Sequence, residues 1–214
     1  MSREFLNIVE HPLLQHKLRI LRDKETKPPE FRRLIEEISV MIGYEATKDL
    51  AVNEMTVETP MGKARASRVS ERMVVVSIMR AGNGMISGLL DLLPFAQVGH
   101  IGIYRDKFIH NTVEYFFRLP DDVENAHIML LDPLLATGDT MVAALDRLKD
   151  YEVGKITVLT LLCAQKGLDQ VKEFHPDVSI YTLNVEPELD SNGYLLPGVG
   201  DAGDRIYGTK HYEY

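Results

Sequence analysis

A single cysteine, Cys163, in 214 residues rules out an internal disulfide framework and a cysteine cage around zinc. Placed after an apolar run, it reads as an inert core residue. No apolar stretch approaches the ~18–20 residues that cross a bilayer, so no membrane partner is expected. The opening residues, MSREFLNIVEH, lack the apolar block of a secretion signal, and a soluble, cytoplasmic protein is the default expectation. Basic charge is also short. The net charge of −8 and pI near 5.4 argue against a general nucleic-acid binder. There is no internal repeat, no low-complexity segment and no P-loop signature. Gly82 and Gly84 tempt a dinucleotide reading, but the third glycine of G-x-G-x-x-G would fall at Ser87. What the chain does have is 45% hydrophobic residues, enough for a sizeable core in one domain.

The chain is organised around 128–148, IMLLDPLLATGDTMVAALDRL. Ile128 to Leu131 have the length and character of a buried parallel strand. Asp132 stands at its C-terminal end, and a small-residue loop from Ala136 to Thr140 follows. Met141, Val142, Ala144, Leu145 and Leu148 then keep helical spacing. Backbone N–H groups at a helix start, with the helix dipole, make a ready anion site, and Thr137 and Thr140 add hydroxyl donors. Asp132 can accept from sugar hydroxyls or face a cation outside the strand end, where open α/β sheets bind ligands. An ordinary strand-loop-helix unit with an acidic loop has the same spacing.

Around this unit, residues 1–50 read as helical. Leu13, Leu14, Leu18 and Leu21 form one stripe; Phe31, Leu34, Ile35, Ile38 and Ile42 form another after Pro28-Pro29. His11, His16, Arg32 and Arg33 read as solvated. Residues 54–70 read as a hairpin turning at Thr59-Pro60-Met61-Gly62, packed on the body or on another subunit. Met73–Ile78 is a buried strand running into Met79-Arg80-Ala81-Gly82, where backbone N–H groups can approach an anion and Arg80 adds a permanent cation. Val98–Tyr104 and Val113–Leu119 flank a polar run, 106–112, which reads as a long hairpin with a mobile tip that orders on binding. Ile156–Leu162, Gly167–Phe174 and Val178–Leu183 read as strand, helix and strand. This alternation predicts a parallel α/β sheet. Near the C-terminus, Tyr194 to Arg205 read YLLPGVGDAGDR, a loop rich in glycine and alanine whose own N–H and C=O groups can be read at close range.

Four of these segments, in this order, resemble one family over about residues 5 to 210. DPLLATGDT resembles the ribose-phosphate loop of the type I phosphoribosyltransferases, in the Asp-Pro-x-x-Ala-Thr-Gly form of the uracil branch. Asp139 stands where that branch usually has glycine, so its carboxylate is expected to turn away from a bound phosphate. Met79 to Gly82 resembles the pyrophosphate loop, and Tyr104-Arg105-Asp106 with Val113-Glu114-Tyr115 the flanks of the flexible catalytic loop. YLLPGVGDAGDR resembles the uracil-binding hood.

The resemblance implies a type I phosphoribosyltransferase fold: a central parallel sheet flanked by helices, a long flexible hairpin loop and a C-terminal hood. It implies one domain over 1–214, with N-terminal helices at 1–50, a β-hairpin arm at 54–70, the α/β core at 73–183 and the hood at 184–214. The reaction implied joins uracil to 5-phospho-α-D-ribose 1-diphosphate (PRPP), giving UMP and diphosphate, with Mg²⁺ carried mainly by the diphosphate. Arg80 and Arg105 would hold the pyrophosphate, Asp132 the ribose hydroxyls, and Ala136, Thr137, Gly138, Asp139 and Thr140 the 5′-phosphate, with Pro133, Leu134 and Leu135 in the same PRPP loop. Leu195, Gly200, Asp201 and Ala202 would hold uracil, and Asp201 would also reach the Mg²⁺-bound sugar diphosphate. Arg105, Asp132 and Asp201 are thus the catalytic candidates. The resemblance also raises a homodimer or larger homo-oligomer and GTP as an allosteric effector. A transferase for another base, a nucleotide-sensing regulator on the same fold, and a purely structural module are the alternatives.

Overall fold

The computed structural model describes residues 4–105 and 112–210. Among these, seven strands form the main sheet in the order β1-β11-β9-β7-β4-β5-β6. They are β1 (Leu6–Ile8), β4 (Met73–Met79), β5 (Gln97–Arg105), β6 (Thr112–Arg118), β7 (His127–Leu131), β9 (Ile156–Leu159) and β11 (Ser179–Thr182). All neighbours run parallel except the β5–β6 hairpin, which is antiparallel. The hairpin's tip, residues 106–111, lies outside the described residues.

Helices cover both faces. α1 (Pro12–Arg22), α2 (Pro28–Ala46) and α3 (Asn83–Leu92) share one core with Met73, Val75, Met129 and Leu131. α4 (Asp139–Lys149) and α5 (Gln165–Phe174) share the other with Val74, Val76, Ile128 and Leu130. The period-2 alternation within β4 and β7 therefore feeds two cores, which is why both strands are almost wholly apolar, with only Ser77 and His127 polar. Each fully buried Leu or Ile contributes roughly 1.5–3 kcal/mol. Both α1 and α2 begin with proline, where the missing N–H breaks no helical bond.

Several expectations are corrected. Residues 6–8 are not helical but an edge strand, because β11 offers them an open parallel edge. Leu13 is 46% exposed, off the stripe formed by buried Leu14, Leu18 and Leu21. His11 is exposed, yet its Nδ1 also accepts from the Leu13 N–H at 3.1 Å and caps α1. Arg32 donates to the Ile206 carbonyl at 2.7 Å rather than only to water. The strand expected over 156–162 breaks at Thr160: Thr160 N–H follows the Tyr181 carbonyl, while Leu161 and Leu162 N–H turn to Pro133. After that turn, β10 (Leu162–Ala164) joins β8 (Leu134–Leu135) and β12 (Asn184–Glu186) in a second, three-stranded parallel sheet.

The 54–70 hairpin is present as β2 (Val52–Thr59) and β3 (Gly62–Val69), paired in full antiparallel register. Its strands are mostly exposed, with Val52 at 54% and Met61 in the turn at 97%. The C-terminal segment adds β13 (Glu188–Leu189) and β14 (Leu195–Leu196), an antiparallel pair, and α6 (Ala202–Tyr207). Cys163 is buried in β10, and burial pushes its thiol up to about 11, so it is inert at neutral pH.

Candidate active site

The site lies outside the C-terminal ends of the central strands. β7 ends at Leu131, and Asp132 follows it. Burial raises the Asp132 carboxyl to about 7, against one long hydrogen bond, 3.5 Å, from the Leu134 N–H. A carboxylate there is starved of donors, and a ligand offering hydroxyls would supply them. Beside it, β4 ends in Met79-Arg80, joined by a cis peptide, and the chain doubles back at Gly82. A Cβ on Gly82 would stand 2.3 Å from the Leu131 carbonyl, so only glycine lets this turn pack against the end of β7.

Arg80 reaches outward from that turn, with 55% of its side chain exposed. Its guanidinium lies 3.4 Å from Asp204 Oδ1 and over the Tyr207 ring, 6.0 Å from its centroid. The Tyr207 hydroxyl donates to the Arg80 carbonyl at 3.0 Å. Asp204 also takes the Thr209 hydroxyl at 2.6 Å and the Lys210 ammonium at 2.8 Å. Tyr207, Asp204 and Lys210 were not singled out from the sequence as site residues. Asp204 and Tyr207 meet Arg80 across 124 and 127 residues of chain, and Lys210 joins through Asp204, which local spacing cannot reveal.

The 136–140 loop keeps the expected strand-loop-helix form. Gly138, at φ +96°, precedes α4, and Asp139 opens the helix. Asp139 Oδ1 accepts from Gln170 Nε2 on α5 at 2.9 Å. Its Oδ2, however, accepts from the Thr137 hydroxyl at 3.0 Å, so Thr137 must rotate to donate to a phosphate. Leu135 is buried in the core and the Pro133 carbonyl accepts from Leu161 and Leu162. These two residues can meet a ligand only through what remains of their backbone.

The hood closes this group from the far side. Gly193 faces Thr137, and Gly203 faces both Asp201 and the Arg80 guanidinium. Asp201 caps α6 by accepting from the Asp204 N–H at 2.8 Å. Leu195 is buried, its side chain in the core rather than in the cleft. The structure therefore brings Arg80, Asp132, the 136–140 loop, Asp201 and Ala202 to one end of the sheet. Arg105 ends β5 at the same end, and its side chain lies outside the description. Among the described residues, no three His, Cys, Asp or Glu side chains gather to hold a metal. No helix among them is long and apolar enough to cross a membrane.

Comparison with known proteins finds relatives over nearly the whole chain. The family model described as uracil phosphoribosyltransferase matches residues 8–209. A Brucella anthropi protein named uracil phosphoribosyltransferase is 48% identical over 206 residues, covering 96% of this chain and 99% of its own. One of the same name from Variovorax paradoxus is 46% identical with the same coverage. A solved protein from Aquifex aeolicus superposes with a TM-score of 0.92 at 34% identity, over 97% of this chain and 100% of its own. An adenine phosphoribosyltransferase from Trypanosoma brucei, solved with AMP, pyrophosphate and ribose-5-phosphate, shares the fold alone, with a TM-score of 0.57 at 15% identity over 89% of this chain and 88% of its own.

Proposed function

The chain belongs to the uracil phosphoribosyltransferase family, and from that premise we propose that it converts uracil and PRPP to UMP and diphosphate at the strand-end site described above. The observation that supports the residue assignment is that the 79–82 turn, the 132–140 loop and the hood meet at one end of the sheet, with Arg80 facing the hood and Gly193 facing Thr137. Arg80 and Arg105 bind the diphosphate. Backbone N–H groups at the start of α4, with Thr137 and Thr140, cradle the 5′-phosphate. Asp132 accepts from the ribose hydroxyls and so carries negative charge beside a ribosyl centre that turns cationic as the diphosphate leaves. Gly200 to Ala202 offer backbone donors and acceptors to uracil. No side chain in the group is an obvious general base, so positioning and charge do the work.

Mg²⁺ fits this site mainly through the diphosphate, with Asp201 a hard oxygen ligand of the kind it takes alongside substrate phosphates. When bound with the diphosphate it offsets that group's charge. The exposed hairpin arm, carrying Val52, Met55 and Met61 to solvent, supports a homodimer or larger homo-oligomer. GTP as an effector and a cytoplasmic location rest on the family alone. The test is turnover: purified protein with uracil, PRPP and Mg²⁺ should release UMP and diphosphate, and chelating the metal should stop it. Failure to form UMP under those conditions would remove the assignment.

A further inference from the structure

The uracil loop is anchored by an ion pair that lies outside the proposed ligand contacts. Glu186, at the end of β12, is 1% exposed, and Arg22 ends α1. The two meet in a two-pronged contact, Arg22 Nη2 to Oε1 at 2.6 Å and Nη1 to Oε2 at 3.0 Å. Asn184 Nδ2 adds a bond to Oε1 at 2.8 Å. Burial pushes the Glu186 carboxyl up, but Arg22, the Gly198 N–H and Asn184 more than offset it and hold it below the usual carboxylate range.

This pair takes both backbone groups of one residue. The Gly198 N–H donates to Glu186 Oε2 at 2.9 Å, and the Gly198 carbonyl accepts from Arg22 Nη1 at 2.9 Å. The next carbonyl, Val199, accepts from buried Arg205 Nη1 at 2.9 Å. Gly198 is at φ +55°, and a Cβ there would lie 2.2 Å from the Leu195 carbonyl, so the turn admits only glycine. The peptides after Gly198 and Val199 are trans and planar. Turning their carbonyls inward to arginine therefore turns the Val199 and Gly200 N–H groups to the opposite side.

We propose that Arg22 and Glu186 are positioning residues for base recognition: by clamping both backbone groups of Gly198 they aim the Val199–Gly200 N–H groups at the uracil carbonyls. This rests on the uracil reading, and wild-type turnover of uracil tests that reading separately. The experiment measures KM for uracil and for PRPP in Glu186→Gln, Asn184→Ala and the double variant Arg22→Met with Glu186→Leu, beside melting temperatures. Glu186→Gln should raise KM for uracil at least tenfold while KM for PRPP stays within about twofold. Asn184→Ala, which removes one support of Glu186, should move uracil KM in the same direction by about threefold. The apolar pair should recover melting temperature lost by the single variant, since buried ion pairs are often replaceable in stability. It cannot bind the Gly198 groups, so its uracil KM should stay raised. If Glu186→Gln does not fold, the other two variants decide. Uracil KM within twofold of wild type in the folded variants, or equal rises in both KM values, would overturn the proposal.

Discussion

Raising the Asp132 carboxyl to about 7 makes PRPP binding depend on pH in a calculable way. In the free protein the proton leaves only near neutrality. If ribose hydroxyls donate to the carboxylate, the bound state prefers it ionised, and binding expels that proton. At pH 6 the free carboxyl is about ten to one protonated, so ionising it costs about 1.4 kcal/mol. At pH 8 the cost is about 0.1 kcal/mol. Affinity for PRPP should therefore rise about tenfold between pH 6 and pH 8. The substrate's own phosphates titrate near pH ~6 and contribute to the raw profile. Asp132→Asn removes only the carboxylate, so the ratio of wild-type to variant affinity isolates its share. Titration calorimetry in buffers of different ionisation heat reads both the affinity and the protons released. At pH 8 the variant should lose about 10–100-fold in kcat/KM, the value of charge-assisted bonds to the hydroxyls. Stability should move the other way. A carboxyl whose folded pKa is raised favours folding most at low pH, and that contribution is lost as pH climbs from 3.8 towards about 7. Asp132→Asn should thus melt no lower than wild type at pH 8. A wild-type affinity that tracks the variant's across pH 6–8 would refute the reasoning.

Other predictions follow from single contacts. Asp139→Gly should change PRPP affinity by less than about threefold, because Gln170 holds one oxygen outward; a tenfold tightening, about 1.4 kcal/mol, would show repulsion of the phosphate. Arg205 is buried, donates to the Leu21, Val199 and Asp23 carbonyls and lies 4.3 Å from the Phe31 ring centre. Arg205→Met should cost about 3 kcal/mol, a fall of roughly 6–12 °C in melting temperature by calorimetry; a change under 2 °C would contradict that role. Met55→Asp, on the exposed arm, should weaken self-association in sedimentation without lowering the melting temperature of the isolated chain.

Much of the fold was legible because its strands are buried on both sides. Met73–Val76 and Ile128–Leu131 are continuous apolar runs of the length of a covered parallel strand. Residues 6–8 were not, since three residues hold no pattern and their partner at 180–182 is supplied by distant chain. The same limit hid the clamp on Gly198, where Arg22 and Glu186 are 164 residues apart. The loops around Asp132 and Arg80 were legible because each is a contiguous string whose chemistry is local. What the string could not tell was that Thr137 spends its hydroxyl on Asp139, or that Asp201 caps α6.

Base choice tests the account most directly. The Gly198–Gly203 segment carries one polar side chain, Asp201, so recognition by backbone groups should reject a base whose amine replaces a carbonyl. Uracil, 5-fluorouracil, cytosine and hypoxanthine are to be offered in competition with PRPP and Mg²⁺, and the nucleotides resolved by chromatography. Uracil and 5-fluorouracil should be consumed, and cytosine and hypoxanthine should be left. Turnover of cytosine or hypoxanthine at rates near that of uracil would contradict the account.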